Sequence, residues 1–455
     1  MRKVNKIHPT ASLAPTHYVL CAILAAPSFP MNILIVGSGG REHALAWKVA
    51  QSPHCTALFC APGNSGTALL GINLSIEANN FKAIAQACRE HGVNLIIIGP
   101  EEPLCTGLVD HLQKDKGLKG LHIIGPNRHA AQLEGSKAFA KTFMARHGIP
   151  TAKYREFSAS NFTDGVAYLH AHQLPVVLKA DGLAAGKGVI ICQNHLEAVS
   201  EFELMVQRSK FGEAGRRVVV EEFLEGIELS VFVLTDGKDY ILLPTAKDYK
   251  RIGEGDTGPN TGGMGAVSPV PFADAAFMKK VEDKIIRPTV QGLHADGMEY
   301  RGFIFFGLIK VNEEPFVIEY NCRMGDPETE AVLPRIKTDL VELLLATAQN
   351  RLAEQNISID DRYAATVVVA SGGYPSDYPK GIAIKQLPPA AADVILFHAG
   401  LHQEEEALVT TGGRVLCITA LDTALGDALH KATKAAAEVD FTGKYYRRDI
   451  GFEFA

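Results

Sequence analysis

The chain has 455 residues, of which 47% are hydrophobic and 21% charged, with a net charge of −6. That length suggests about three domains at ~150 residues each, and the composition excludes a disordered or fibrous chain. The weak acidic balance, with no basic run interleaved with aromatics, argues against nucleic acid or an anionic membrane as partner, and no apolar stretch approaches the ~20 residues of a membrane span.

Eight cysteines are scattered at 21, 55, 60, 88, 105, 192, 322 and 417, with no Cys-x-x-Cys and no zinc-like spacing. They read as small core hydrophobes of a reducing compartment. Residues 1–30 carry a short apolar run, Tyr18–Pro27, behind basic residues, which faintly resembles a signal peptide. Against that, Met31 directly opens a strand pattern, Asn32–Val36. Met31 is therefore expected to be the working start and 1–30 a dispensable extension.

From there the chain alternates. Ile33–Val36 reads as a buried strand, Glu42–Gln51 as a helix, Phe81–His91 as a helix, and Asn94–Ile98 and Leu121–Ile124 as strands. Each strand stops at a glycine or Gly-Pro turn, the pattern of an open parallel sheet with ligands at the carboxyl ends of its strands. The texture changes at Leu133, where a helix is expected to run to His147. Strand pairs are expected next, Val176–Lys179 with Val189–Cys192 and Arg217–Glu222 with Glu228–Leu234. Helices at 273–295 and 338–355 enclose β-segments at 302–310 and 315–320. The tail from about 361 reads as a smaller α+β domain. The expected fold is thus α/β and α+β multidomain: 31–132 a parallel-sheet substrate domain, 133–355 a central domain with a lid at about 153–222, and 356–455 the C-terminal domain.

Five segments carry chemistry. Gly37-Ser-Gly-Gly-Arg-Glu-His43 follows a strand and opens a helix, but Glu42 stands where a dinucleotide fingerprint needs its third glycine, and no ribose acid lies ~20 residues on. What survives is a helix N-terminus suited to one phosphate, or simply a tight turn. Asp181-Gly-Leu-Ala-Ala-Gly-Lys-Gly188 imitates a phosphate loop, yet it joins two strands and has Gly188 where Ser or Thr should be. It reads as a flexible hairpin with free amides and Lys187, and Lys179 adds a fixed charge on the incoming strand. Glu221–Glu228 offers backbone edges and acids for a nucleotide base and ribose, although a solvated acidic turn is about as good a reading. In Phe316–Glu328, Glu319 and Asn321 alternate on a strand and so share a face, where two oxygen ligands suit Mg²⁺. Arg323 lies on that face if the strand continues and could neutralise a transferring phosphoryl group. Asp256–Gly265 is a glycine-rich loop able to approach a small ligand closely, and Met264 argues for packing.

Together these segments resemble the ATP-grasp superfamily and, within it, the phosphoribosylamine–glycine ligase family. The resemblance rests on Gly37–Ala46, Ala61–Thr67, Gln132–Lys137, Lys179–Gly188, Gly258–Gly265, Asn321–Glu328 and Thr411–Val415, in the family's order from about 31 to 450. It implies that ATP phosphorylates glycine and that 5-phosphoribosylamine attacks the glycyl-phosphate. It further implies that Lys137 and Lys179 bind ATP phosphates beneath a loop containing Gly182, Gly186, Lys187 and Gly188. Glu221, Glu222, Phe223 and Leu224 would hold adenine, and Glu228 the ribose. Glu319 and Asn321 would ligate Mg²⁺ or Mn²⁺. Substrate would meet Gly39, Gly40, Arg41 and Glu42, together with Asp248, Lys250, Asn260, Gly262, Gly263 and Arg323. Lys187, Arg323 and Asp326 would carry the catalytic charge, with no side-chain nucleophile. A cytoplasmic enzyme is implied, with a transient contact to the enzyme that makes the unstable amine. Ala246–Arg251 departs from the family pattern at Lys247 and Tyr249, and Arg447-Arg448-Asp449 reads either as a phosphate contact or as an exposed tail. The rival readings are another ATP-grasp ligase, against which Asn321-Cys-Arg323 argues, and a regulatory nucleotide module, which would not need Lys179, Lys187, Glu319, Asn321 and Arg323 together.

Overall fold

A computed structural model of the chain describes residues 29–183, 188–208 and 210–454. The expected extension lies outside the described residues up to position 28, as do Gly186 and Lys187 of the phosphate-loop imitation.

Met31–Gly37 is the middle strand of a five-stranded parallel sheet, flanked by Cys55–Pro62 with Ile72–Asn73 on one side and by Leu95–Ile98 with His122–Ile124 on the other. Ile33, Leu34, Ile35 and Val36 are fully buried, as expected for a strand covered on both faces. The strand order reverses direction at Met31–Gly37. The turns that follow its neighbours, Gly63-Asn64 and Gly99-Pro100-Glu101, therefore converge on Gly37–Gly40 at one crevice.

The helix expected over 133–147 is broken. Gln132–Gly135 and Lys137–Arg146 are separate helices, because Ser136 takes extended angles and caps the second one, its hydroxyl accepting from the Phe139 amide at 3.1 Å. The expected pairing of Arg217–Glu222 with Glu228–Leu234 is also corrected. Arg217–Glu222 lies between Tyr154–Ser158 and Val176–Ala180, with Val189–Cys192 at the edge. Ile227–Thr235 instead pairs with Gly302–Val311 in a second sheet that also holds Glu314–Asn321 and Tyr240–Leu242. The segment Phe223–Gly226 is thus a crossing between sheets rather than a hairpin.

The first of these two sheets has its own core, Phe157, Leu178, Phe202 and Val220, beneath helices Phe162–Ala171 and His195–Val206. The second shares one continuous core with the N-terminal sheet, from Leu34 and Ile96 to Val231 and Phe306. The last sheet is not built from the tail alone. Tyr363–Ser371, Arg414–Asp422 and Val394–His398 are joined by Gly265–Ser268 and Lys247–Asp248, so residues of the central region seal the C-terminal layer.

Candidate active site

Three groups of functional side chains meet around the convergence of these sheets. The first belongs to the lid. Asp181 Oδ1 accepts from the Ser136 hydroxyl at 2.8 Å and from the Ala138 amide at 2.9 Å, placing a carboxylate at the start of helix Lys137–Arg146. Lys137 donates to the Gly182 carbonyl at 3.2 Å, so the loop entrance and the helix are tied together. Burial lowers the Lys137 ammonium's pKa below the usual lysine range. Lys179 projects from the inner strand, donates to the Ile318 carbonyl at 3.1 Å and ion-pairs with Glu221 Oε2 at 2.9 Å. Glu221 is thus turned toward the lysines with its carboxylate, while Glu222 accepts from the Lys153 amide at 2.9 Å. Phe223 is exposed and Leu224 half-buried on the crossing segment.

Sequence reasoning missed Lys141. It sits one helical turn after Lys137, fully buried, with its ammonium 3.2 Å from Glu221 Oε1. It also donates to Thr151 Oγ1 at 2.8 Å and to the Ala152 carbonyl at 3.3 Å. Burial pushes its pKa down to about 8. The one signal available was the four-residue spacing from Lys137, which is met by many surface lysines.

The second group is the strand Glu314–Asn321. Its pairing with Gly302–Val311 slips at Ile318, and beyond the slip Glu319 stands opposite Gly307 and Asn321 opposite Phe305. The two expected metal ligands therefore share one face, and the Ile318 carbonyl between the strands meets Lys179. Beside them Lys250 contacts Glu228 at 3.0 Å, while Asp248 lies on the edge strand Lys247–Asp248. Burial raises the Asp248 carboxyl; Asp248 and Glu228 in turn hold the Lys250 ammonium well above its ordinary value. Arg323 does not project freely. It is clamped by Glu134 at 2.8 Å and Glu101 at 3.1 Å, and it donates to Asn321 Oδ1 at 3.2 Å.

The third group surrounds the first glycine turn. Gly37 has a φ of +122°, and a Cβ there would come 2.5 Å from Glu42 Cγ. That space lets Glu42 fold back, accepting from the Gly39 amide at 2.6 Å and from Arg41 Nε at 2.7 Å. Asp326 accepts from the Arg41 amide at 3.4 Å and ion-pairs with Arg414 at 3.0 Å. A Cβ at Gly40 would collide with Glu330, a fully buried acid neither of whose carboxyl oxygens has a hydrogen-bond partner of normal geometry. Burial, with Asp326 nearby, raises the Glu330 carboxyl well above its ordinary value. Asn64, another residue without an expected role, donates to the Ser38, Gly39 and His398 carbonyls at 2.9, 3.2 and 2.8 Å. It joins the glycine turn to the C-terminal sheet. The turns 399–402 and 411–414 then complete a cleft of about 480 Å³ with Ser38–Gly40, Gly63, Asn64 and Asp326.

The glycine-rich loop divides. Gly262 and Gly263 reach this cleft, where the Gly262 carbonyl accepts from Arg414 at 2.7 Å and Gly263 lies against Pro327. Asn260 is paired with Arg251 on an exposed hairpin. Arg447 corrects the reading of an exposed tail: it is fully buried and bound to Asp256 at 2.6 Å and Asp449 at 2.8 Å, so Asp256 and Asp449 occupy it.

A four-stranded sheet with its own core, lysines facing an acid–amide strand and a parallel-sheet crevice define an ATP-grasp enzyme. The biotin carboxylase–β-γ-ATP complex from Campylobacter jejuni has this fold, with a TM-score of 0.70 over 93% of this chain and 94% of that one at 17% identity. Models of the phosphoribosylglycinamide synthetase N domain, ATP-grasp (A) domain and C domain match residues 31–134, 135–329 and 364–453. The chain belongs to the phosphoribosylglycinamide synthetase family and is an ATP-dependent ligase. It is 48% identical to phosphoribosylamine–glycine ligase of Haemophilus influenzae, over 93% of this chain and 98% of that protein. The Pasteurella multocida enzyme of the same name is 47% identical with the same coverage. A solved phosphoribosylamine–glycine ligase from Thermotoga maritima superposes with a TM-score of 0.80, covering 92% of this chain and 99% of that one at 34% identity. No helix among the described residues is long and apolar enough to cross a membrane.

Proposed function

We propose that the chain joins glycine to 5-phosphoribosylamine, giving glycinamide ribonucleotide, ADP and phosphate, and that the three groups of side chains divide this work. The observation that carries the reading is the contact of Lys179 with the Ile318 carbonyl, which brings an ammonium to the strand that bears Glu319 and Asn321. A triphosphate lying between the lid and that strand would meet Lys137 and Lys179 on one side and oxygen ligands on the other. Glu221–Leu224 lines the crossing where an adenine edge would pair, and Glu228 borders the ribose position.

Glu319 and Asn321 fit a divalent cation, Mg²⁺ or Mn²⁺, because their donors are all oxygen and Arg323 leaves Asn321 Oδ1 a second lone pair. When bound, such a cation supplies charge neutralisation to the phosphates. The glycine carboxylate attacks the γ-phosphorus, the bond to the ADP oxygen breaks, and a glycyl-phosphate forms. The amine then attacks the glycyl carbon, phosphate leaves, and the amine surrenders a proton. A carboxylate is a poor electrophile until one oxygen becomes a leaving group, so the chemistry consists of orientation and charge neutralisation. Arg323 and Asp326 flank this position, with Gly262 and Gly263 at its edge; Lys187, which the family resemblance makes a catalytic charge, lies outside the described residues. Asp248 and Lys250 adjoin the ribose side. The cleft at Gly39–Glu42 receives the phosphoribosylamine. Only part of its helix N-terminus is open, because Glu42 and Asp326 already cap the Gly39 and Arg41 amides.

The test is phosphate release from ATP with glycine alone and then with phosphoribosylamine generated in situ. Release that requires both, with glycinamide ribonucleotide formed, supports the reading; a requirement for another carboxylate or amine removes it. The reading includes a cytoplasmic enzyme that meets the amine-producing enzyme transiently, since the amine is short-lived.

A further inference from the structure

We propose that Lys141 is a positioning residue for ATP: it holds the Glu221 carboxylate when a polyphosphate draws Lys179 away. The inference rests on the reading of Lys179 as a phosphate ligand. Glu221 is a nearly fully buried acid set between two buried ammonium groups, Lys179 at 2.9 Å from one oxygen and Lys141 at 3.2 Å from the other. The two contacts differ in kind. Lys141 directs hydrogens to Thr151 Oγ1 and the Ala152 carbonyl and gives Glu221 a neighbouring charge outside hydrogen-bond geometry. Among the described residues Lys179 has only the Ile318 carbonyl besides Glu221. Lys141 is therefore the anchored partner and Lys179 the transferable one.

Two ammonium groups facing one carboxylate leave an uncompensated positive charge at the lid base, which an incoming polyphosphate satisfies. Without Lys141 the remaining pair would be neutral, and recruiting Lys179 to phosphate would strand a buried carboxylate, a costly arrangement in a low dielectric. Other charged and titratable groups around Lys141 are Glu222 and Lys179, with the Tyr154 ring 5.4 Å from its ammonium. Burial raises the Tyr154 hydroxyl, so that group stays protonated where Lys141 titrates, near its lowered value of about 8.

The experiment is steady-state kinetics with ATP varied, on the full chain, for Lys141→Met, Lys141→Arg, Glu221→Gln, the Lys141→Met/Glu221→Gln pair and Lys179→Met. Lys141→Met should raise the KM for ATP about tenfold or more, with kcat and the KM for glycine changed less than about threefold. In the Glu221→Gln background the same substitution should have little effect, because no carboxylate remains to be stranded. The KM for ATP of the unmodified chain should climb above about pH 8, and Lys141→Arg should remove that climb; Lys137, whose pKa is also lowered, is present in both proteins and cannot account for the difference. Equal effects of Lys141→Met with and without Glu221, or a pH climb that survives Lys141→Arg, overturn the inference. So does a normal KM for ATP in Lys141→Met when Lys179→Met raises it. A normal KM in Lys179→Met instead removes the assignment of Lys179 itself, and the inference with it. If Lys141→Met fails to fold, the Lys141→Arg pH profile decides alone.

Discussion

Two clusters of buried charge lie within the same enzyme and are built on opposite plans. At the lid base, Lys141 and Lys179 both pair with the single carboxylate of Glu221, so positive charge is left over there, and Lys137 adds an ammonium bound only to the Gly182 carbonyl among the described residues. Under the glycine turn, each of the three arginines Arg41, Arg323 and Arg414 is already paired, with four acids between them, Glu42, Glu101, Glu134 and Asp326, at 2.7–3.1 Å. The first cluster is incomplete without an anion. In the second every arginine has its acid, and the pairs hold three layers of the molecule together: Glu101 opens the helix after the strand Leu95–Ile98, Arg323 lies just past the strand Glu314–Asn321, and Arg414 opens a strand of the C-terminal sheet. On the proposed function, leftover positive charge is where an anionic ligand would bind, and the fully paired arginines are what would position it.

Substitutions should separate the two plans. The largest effect is expected in the cluster of paired arginines. Arg323→Ala strands two carboxylates, Glu134 buried and Glu101 partly so, and should lower stability by roughly 3–5 kcal/mol in urea unfolding, with activity lost as well. Unchanged stability would mean that the ion pairs are not what holds the layers together. Glu319→Ala should do the reverse. Its strand tolerates alanine, so the melting temperature should hold while turnover falls by about 10²–10³-fold. Wild-type activity with Mg²⁺ would remove Glu319 from the metal site.

Glu330 lies beside the paired arginines yet has no ion pair of its own among the described residues, and Asp326 and Cys417 offer ligand atoms within 4.8 Å of it. Its carboxyl is raised well above the ordinary range by burial, so the folded state retains a proton that the unfolded chain releases near pH ~4.3. The sign follows: above that pH the unfolded chain binds fewer protons, and stability falls as pH rises toward the folded value. Glu330→Gln should abolish this contribution. The difference in stability between variant and parent should therefore grow in the variant's favour with pH, at up to about 1.4 kcal/mol per pH unit. Parallel curves would show that the acid is ionised in the fold.

Legibility in the sequence followed the same division. Glu319 and Asn321 could be placed on one face because a strand's period is local, and the glycine turn could be placed at a strand's end for the same reason. The partners of Arg323 could not, since Glu101 and Glu134 are far away in sequence and nothing in either segment advertises an arginine. Arg217–Glu222 and Glu228–Leu234 read as a strand pair because only five residues separate them; which sheet each joins depends on Tyr154–Ser158 and Gly302–Val311, both remote. Lys141 looked like an ordinary surface lysine of a helix until Glu221 was brought beneath it.

Tyr249 shows the smallest effect that can still be read. As a departure from the family pattern it had no assigned role, and the structure gives it a packing one. Its ring is buried, Lys247 lies 4.4 Å and Arg447 5.4 Å from the ring centre, and its hydroxyl donates to Glu453 at 2.8 Å. Lys247 also ion-pairs with Glu453 at 2.7 Å, so the two departures from the pattern act on one acid near the end of the chain. Tyr249→Phe keeps the ring and both cation contacts and removes one hydrogen bond. Because Lys247 still satisfies Glu453, the loss in urea unfolding should be about 1 kcal/mol, and turnover should be unchanged. A fall in turnover instead would place Tyr249 in the substrate machinery beside Asp248 and Lys250, and would extend the ligand-facing cluster into the C-terminal layer.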